Sequence, residues 1–425
     1  MLSQSNRVPM DLESPDFEIE LEDIEVKKVR KFDRVFRVGF GGSIDQKPAI
    51  VNGIIYFGSL DYHVYAVDCE SGKEIWRFKT NGPIMESSPV IVDGVLYIGS
   101  FDFNLYAIDV RKGKEIWRFK TGGEIVGCPA VEGEYVYFGS RDHFVYCVRR
   151  DGSLVWRFKT GDWVASTPLV QGGRVYIGSF DGNYYCLDAR TGEEIWRFRT
   201  GGEIYNVYPG KVYRGMVFIP SFDNFLYAVD CETGKERWRF RAGKYGIAAA
   251  PYIHDDVLYQ HSREGILFAL TPEGKEIWRF RTGEVVALPN IYKGRIYVGS
   301  GDTNFYCLSL DGKEIWRFRT GGDVFWWPPI WKDRVYFTSW DCHLYCVDLE
   351  GNEIWRFSTS TLTPSKFPPA FEEWEVEIKK EVEEEKEEEE KYGVDVSRGE
   401  SVESEYSVKS EYAFKSEYKQ ESEYR

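Results

Sequence analysis

The run Pro89-Val90-Ile91-Val92-Asp93-Gly94-Val95-Leu96-Tyr97-Ile98-Gly99-Ser100-Phe101-Asp102-Phe103-Asn104-Leu105-Tyr106-Ala107-Ile108-Asp109 leads through Val110-Arg111 to Lys112-Gly113-Lys114-Glu115-Ile116-Trp117-Arg118-Phe119-Lys120. Four apolar, β-branched or aromatic segments are separated here by Asp-Gly, Ser-x-Asp and Gly turns, the pattern of short strands joined in hairpins. The same pattern recurs along the chain. Trp-Arg-Phe begins at Trp76, Trp117, Trp156, Trp196, Trp238, Trp278, Trp316 and Trp355, at spacings of 41, 39, 40, 42, 40, 38 and 39 residues. Four strands in roughly 40 residues make one blade, and connections this short exclude crossover helices. Eight units predict an all-β fold: a single eight-bladed β-propeller of four-stranded antiparallel blades.

The 425 residues carry 69 acids and 54 bases, for a net charge of -15. A chain of this length ordinarily makes two or three domains, at about 150 residues each, but the repeat assigns residues 31–371 to one. This segment is charge-neutral, so the acidity lies in an N-terminal arm (1–30), a Glu-rich linker or helix (372–391) and a tail (392–425). The tail carries a second repeat, Ser-Glu-Tyr, at Tyr406, Tyr412, Tyr418 and Tyr424. It is too polar to pack, so a disordered acidic tail is expected, and four copies suit a multivalent ligand as well as a solubilising tail or one folding back on the propeller. No window is apolar enough to insert in a membrane, and the N-terminus lacks a basic and apolar leader, so a cytoplasmic location with reduced cysteines is expected. Abundant Glu, Lys and Arg with few Met and His fits a thermophile source.

The segment Ala66-Val67-Asp68-Cys69-Glu70-Ser71-Gly72-Lys73-Glu74-Ile75-Trp76 resembles the tryptophan-docking motif of the PQQ-like propeller repeat family, as do Leu187 to Trp196 and Ala228 to Trp238. The resemblance implies that the eight tryptophans dock on neighbouring blades. It also raises quinone chemistry, with PQQ and Ca²⁺ in a sugar or alcohol dehydrogenase. The adjacent Cys-Cys pair of those enzymes is missing here, so no catalytic residue, cofactor or metal is expected. The non-catalytic outer-membrane-assembly branch of the family is the nearer analogue. One point stays open, namely whether Asp33–Val38 or Glu353–Phe357 completes the last blade.

Two loop sets reach one face of such a propeller. The turns between second and third strands repeat Ser-x-Asp, and blade 6 departs with Ser262-Arg263-Glu264. An aspartate in nearly every blade reads as a turn cap rather than a metal ring. Cys147, Cys186, Cys307 and Cys346 take a position filled elsewhere by Ala, so they read as packing residues, and Cys342, His343 and Cys346 make a poor metal set without a fourth ligand. The loops leading into the first strands differ between blades and are aromatic in blades 4, 5 and 8. Trp163, Tyr205, Tyr208, Tyr245, Phe325, Trp326, Trp327 and Trp340 are therefore the candidate partner-binding residues. On the outermost strands fifteen Lys and Arg form a basic belt, which reads as edge protection or, alternatively, as a nucleic-acid surface. The expected function is a scaffold, a monomeric propeller binding a protein partner through its aromatic face.

Overall fold

The computed structural model describes residues 24–28, 42–359 and 374–378, and its compact units are the propeller within residues 31–371 and a second made of residues 1–30 and 372–425. In the second unit, Ile24–Lys28 pairs antiparallel with Trp374–Ile378, in the register Val26↔Val376. That strand falls inside the Glu-rich segment read as a linker or helix. The Ser-Glu-Tyr tyrosines Tyr406, Tyr412, Tyr418 and Tyr424 and the strand expected at Asp33–Val38 lie outside the described residues.

The propeller has eight blades, each a separate antiparallel sheet with its strands in chain order. Blade 1 runs Ala49–Val51, Ile54–Gly58, His63–Asp68 and Glu74–Lys79; blade 8 runs Ile330–Trp331, Arg334–Ser339, His343–Asp348 and Glu353–Ser358. Glu353–Ser358 is thus the outer strand of blade 8, paired with His343–Asp348. In blade 5 the innermost strand shrinks to the single bridge Tyr213–Met216. A proline precedes the first strand of every blade, so Pro209 is not the cause; the difference is Gly210, whose φ of +70° turns the chain out of the extended backbone a strand needs. Second and third strands are buried on both faces, whereas outer strands alternate, with Trp76 and Phe78 facing in and Arg77 and Lys79 out. The third-to-fourth pairing slips by one residue in every blade. Such a bulge strengthens the local twist of an edge strand.

Two rings clamp the blades. In the outer ring each indole N–H donates to a backbone carbonyl of the next blade: Trp76 to Val110, Trp117 to Arg150, Trp156 to Ala189, Trp196 to Cys231, Trp238 to Pro272, Trp278 to Leu310, Trp316 to Leu349 and Trp355 to Cys69, at 2.8–3.2 Å. The last of these closes the circle, with Tyr336 Oη donating to the same Cys69 carbonyl at 3.0 Å. Each ring lies on the glycine of its neighbour's turn. Gly192 has φ +74°, and a Cβ there would sit 2.6 Å from Cδ2 of Trp156.

The inner ring joins the loops leading into the first strands. Lys47 N donates to Ser88 Oγ, Ser88 N to Cys128 Sγ, Cys128 N to Thr167 Oγ1, Thr167 N to the Asn206 carbonyl and Val207 N to the Ala248 carbonyl. Asn290 Nδ2 then donates to Pro328 O, and Thr338 Oγ1 returns the chain of bonds to Gln46 O. Cys128 therefore stands where other blades use a hydroxyl, as a sulfur acceptor.

Substituting Gly192→Ala should cost about 2–4 kcal/mol, combining left-handed backbone strain with displacement of Trp156. Gly94→Ala, at φ +78° with nothing within 4 Å of the new Cβ, isolates the backbone cost and should lose only about 1 kcal/mol. Urea unfolding of the two variants measures the difference, and equal losses would show that the tryptophan contact contributes nothing.

Candidate functional site

The turns between second and third strands share one face with the loops that enter the first strands. Their Ser-x-Asp aspartates are held entirely within the fold. Asp102 Oδ1 accepts from Asn104 N at 3.0 Å, while its Oδ2 accepts from Tyr106 Oη at 2.6 Å and Asn81 N at 2.9 Å. The same three-way arrangement holds Asp142, Asp181, Asp223, Asp302 and Asp341. Blade 6 changes both ends of the bond together, with Glu264 for the acid and Phe268 for the tyrosine. Among the described residues no three His, Cys, Asp or Glu gather to hold a metal ion. Cys147, Cys186 and Cys346 are fully buried, and burial pushes each thiol up to about 12.

With serine and aspartate locked, only the middle residue of the turn is free to vary, and five of these residues join the candidate aromatics in an arc. Phe180 meets Trp163 at 5.9 Å between ring centroids, Tyr205 at 5.7 Å and Phe222 at 6.4 Å. Arg141 lies over both Phe101 (5.2 Å) and Trp163 (4.9 Å), and Arg263 over Phe222 (5.3 Å). Edge-to-face rings and stacked guanidinium groups make a surface that is apolar yet rigid. Trp163 is 42% exposed, and Tyr245, whose neighbour Gly246 lies against Phe222, is 64% exposed. Phe101, Phe180, Phe222, Arg141 and Arg263 were not among the candidate residues, although they hold the turn position that Trp340 holds in blade 8.

Three of the predicted face residues, Trp326, Trp327 and Tyr208, gather around the channel, apart from the arc. Trp326 is only 5% exposed and donates its indole N–H to Asp45 Oδ1 at 2.9 Å. Trp327 packs on Trp326 (5.8 Å) and edge-on against Tyr208 (4.9 Å), with Lys47 Nζ over its ring at 4.9 Å. Tyr208 enters from blade 5 and Trp327 from blade 8, so their contact spans the central channel. Trp326 is buried, whereas Trp327 and Tyr208 are half-buried and meet each other across the channel, a depth that their aromaticity alone could not reveal. Phe325 and Trp340 form a separate half-buried pair at 4.9 Å.

The most perturbed group in this region is Glu86, in the loop entering blade 2. Its φ of +63° places it, with fourteen other non-glycine residues among those described, in the left-handed region. Its amide donates to the Asp45 carbonyl at 2.7 Å, and its Oε2 is buried without a hydrogen-bond partner. Burial, then the neighbouring Asp45, push its carboxyl up to about 8 against the pull of Arg141 and Arg263. Burial likewise raises Asp45, against the indole donors Trp326 and Trp340. Burial lowers Lys47, and it holds His261 near 4 and therefore neutral.

Nearly half of the outer belt is neutralised within its own strands. Arg77, Arg118, Arg197, Arg239, Arg279, Arg317 and Arg356 each make two bonds of 2.5–2.9 Å to the glutamate three residues earlier. Blade 3 differs, with Leu154 in the glutamate position and Arg157 over Phe144.

The raised Glu86 carboxyl sets a pH dependence. The folded state holds this proton across a range in which an unfolded glutamate, of ordinary pKa near 4.5, has lost it, so stability falls as pH rises from about 4.5 to about 8. Glu86→Gln should remove this fall, leaving the variant more stable than the parent near pH 8 and much closer to it near pH 5. Thermal midpoints measured across that range test it, and parallel curves would refute it.

Comparison with known proteins agrees with this architecture. The family described as "Outer membrane protein assembly factor BamB" matches residues 27–139, 101–215, 181–291 and 263–371. Solved structures with the same fold include the computationally designed Ika8 protein (TM-score 0.64, 13% identity, 74% of this chain and 99% of that one). BamB from Moraxella catarrhalis is similar at TM-score 0.60 and 20% identity, over 74% of this chain and 97% of that one. The quinohemoprotein alcohol dehydrogenase ADHIIG from Pseudomonas putida HK5 aligns at TM-score 0.62 and 14% identity, over 81% and 78%. No curated protein matches. The matched repeats span most of the chain and coincide with the eight blades, so this protein belongs to the PQQ-like propeller family that bears the BamB description.

Proposed function

We propose that this chain is a non-catalytic scaffold that binds a protein partner on the face carrying the aromatic arc. The observation that carries this reading is the continuous Trp163, Phe180, Tyr205 and Phe222 contact, flanked by Arg141 and Arg263. Tryptophan, tyrosine and arginine dominate the energetics of protein interfaces, and rings already held in place lose little entropy on binding. The assembly-factor description of the family and its BamB structural neighbour support a role in protein interaction.

The residues present do not fit a quinone cofactor. A flat acidic ring system would need the channel space that Tyr208 and Trp327 span, beside the buried Trp326. It would also lie beside Asp45 and Glu86, whose carboxyls are already raised by their surroundings. Nucleic-acid binding by the belt is disfavoured because seven of its arginines are already spent on glutamates, and such binding rests on phosphate neutralisation by free cations.

Affinity capture from native lysate with the full chain tests the scaffold. A partner should be retained by the parent and by the belt variant Lys79→Glu/Lys120→Glu. Trp163→Ala/Phe180→Ala should weaken it by about 30-fold or more, as expected for loss of an anchor worth about 2 kcal/mol. Equal retention by the arc variant would remove the scaffold reading.

A further inference from the structure

Arg141 and Arg263 differ from the arginines of the outer belt. Neither makes an ion pair or a side-chain hydrogen bond among the described residues, and Arg141 Nε is buried without a partner. Both are nonetheless ordered by stacking, Arg141 on Phe101 and Trp163, and Arg263 on Phe222. They come from blades 3 and 6 and flank the arc, Arg141 on Trp163 and Arg263 on Phe222, and the positive charge of each favours an anion at Glu86, which enters from the blade 2 side. Glu86 does not neutralise them at neutral pH, because its carboxyl keeps its proton up to about 8. Asp45 is turned toward Trp326, whose indole N–H it accepts on Oδ1, and makes no ion pair with either arginine among the described residues. Unpaired guanidinium groups held on aromatic faces are poised for a carboxylate, and stacking leaves their N–H edges available.

We propose that the mouth of the arc takes a carboxylate from an acidic segment of the partner protein, seated between Arg141 and Arg263, with neighbouring apolar side chains of that segment on Trp163, Phe180, Tyr205 and Phe222. This rests on the scaffold reading and names the chemistry of the partner. The protonated Glu86 carboxyl donates a hydrogen bond to the incoming carboxylate, so the site needs no net loss of its own protons. The charged and titrating groups facing Glu86 are Asp45, Arg141 and Arg263. Above pH 8 Glu86 ionises, neutralises the arginines from within and repels the ligand.

Panning a fully random short-peptide library on the full-length protein at physiological salt tests this directly. Peptides rich in Asp or Glu beside apolar or aromatic residues should be enriched. Arg141→Gln and Arg263→Gln should each weaken the selected peptides about tenfold, the size of one charge-assisted hydrogen bond, with thermal midpoints confirming that the variants are folded. Arg141→Lys, which keeps the charge without the stacked fork, should recover part of the loss. Affinity should also drop as pH is raised through 8 in the parent, and not in Glu86→Gln. Enrichment of neutral or basic peptides, failure to enrich any sequence, or unchanged affinity in the arginine variants would each overturn the proposal. If that happened while Trp163→Ala/Phe180→Ala still released the captured partner, the scaffold would stand and only the acidic ligand would fall. Retention of the partner by that arc variant would remove the scaffold itself.

Discussion

Everything in the propeller depends on one contact, an indole lying flat on a glycine of the next blade. A four-stranded blade of this size cannot bury both faces alone, so its stability is that of its interfaces. The tryptophan–glycine contact fixes each interface at its periphery. The glycine is doubly required, for its left-handed turn and for the absence of a Cβ where the ring lies. The indole N–H also satisfies a carbonyl of that turn, which would otherwise be left at a buried edge. Because Trp355 makes to blade 1 the contact that every other tryptophan makes to its successor, closure needs no strand exchanged between the ends of the described propeller. The inner belt of hydrogen bonds through Ser88, Cys128 and Thr167 performs the same service at the axis with polar groups.

This contact is why so much of the fold was legible. Trp-Arg-Phe recurs at nearly constant spacing because each copy must meet the same glycine turn, and Gly72, Gly113 and their equivalents recur with it. The paired changes in blade 6, Glu264 with Phe268, show the same logic in reverse, since losing the acid removes the reason for the tyrosine hydroxyl. The face was less legible. Trp326 and Trp163 both stand in loops entering a blade, and nothing in their local sequence says that one crosses into the channel while the other stays in solvent. Depth along the axis depends on how residues from blades 5 and 8 meet, as Tyr208 and Trp327 do, and that meeting is remote in sequence. Cys128 was equally opaque, because its role as an acceptor appears only when blades 2 and 3 are side by side. The arc itself was present in the sequence as the middle letter of Ser-x-Asp.

That middle position explains how a ring built from near-identical repeats can carry an asymmetric site. Serine and aspartate are tied to backbone in almost every blade, and the strands are tied by packing. The residue between them is Leu60, Phe101, Arg141, Phe180, Phe222, Arg263, Gly301 or Trp340 in turn. Substitution there alters what the face presents while leaving the interfaces that hold the ring together untouched. Function can therefore diversify on the loops of a conserved scaffold at little cost in stability.

Glu86 is the exception to this economy. The equivalent loop of blade 3, Val126-Gly127-Cys128-Pro129, has no residue in the left-handed region. At Glu86 the chain accepts a left-handed non-glycine residue, a buried oxygen without a partner and a carboxyl displaced far from its ordinary pKa. Each of these opposes folding, and glutamine or glycine would relieve at least one of them. A residue that resists the fold through both its backbone and its buried carboxyl, beside the face that carries the arc, is better explained by what it meets in a complex than by what it holds together in the free chain.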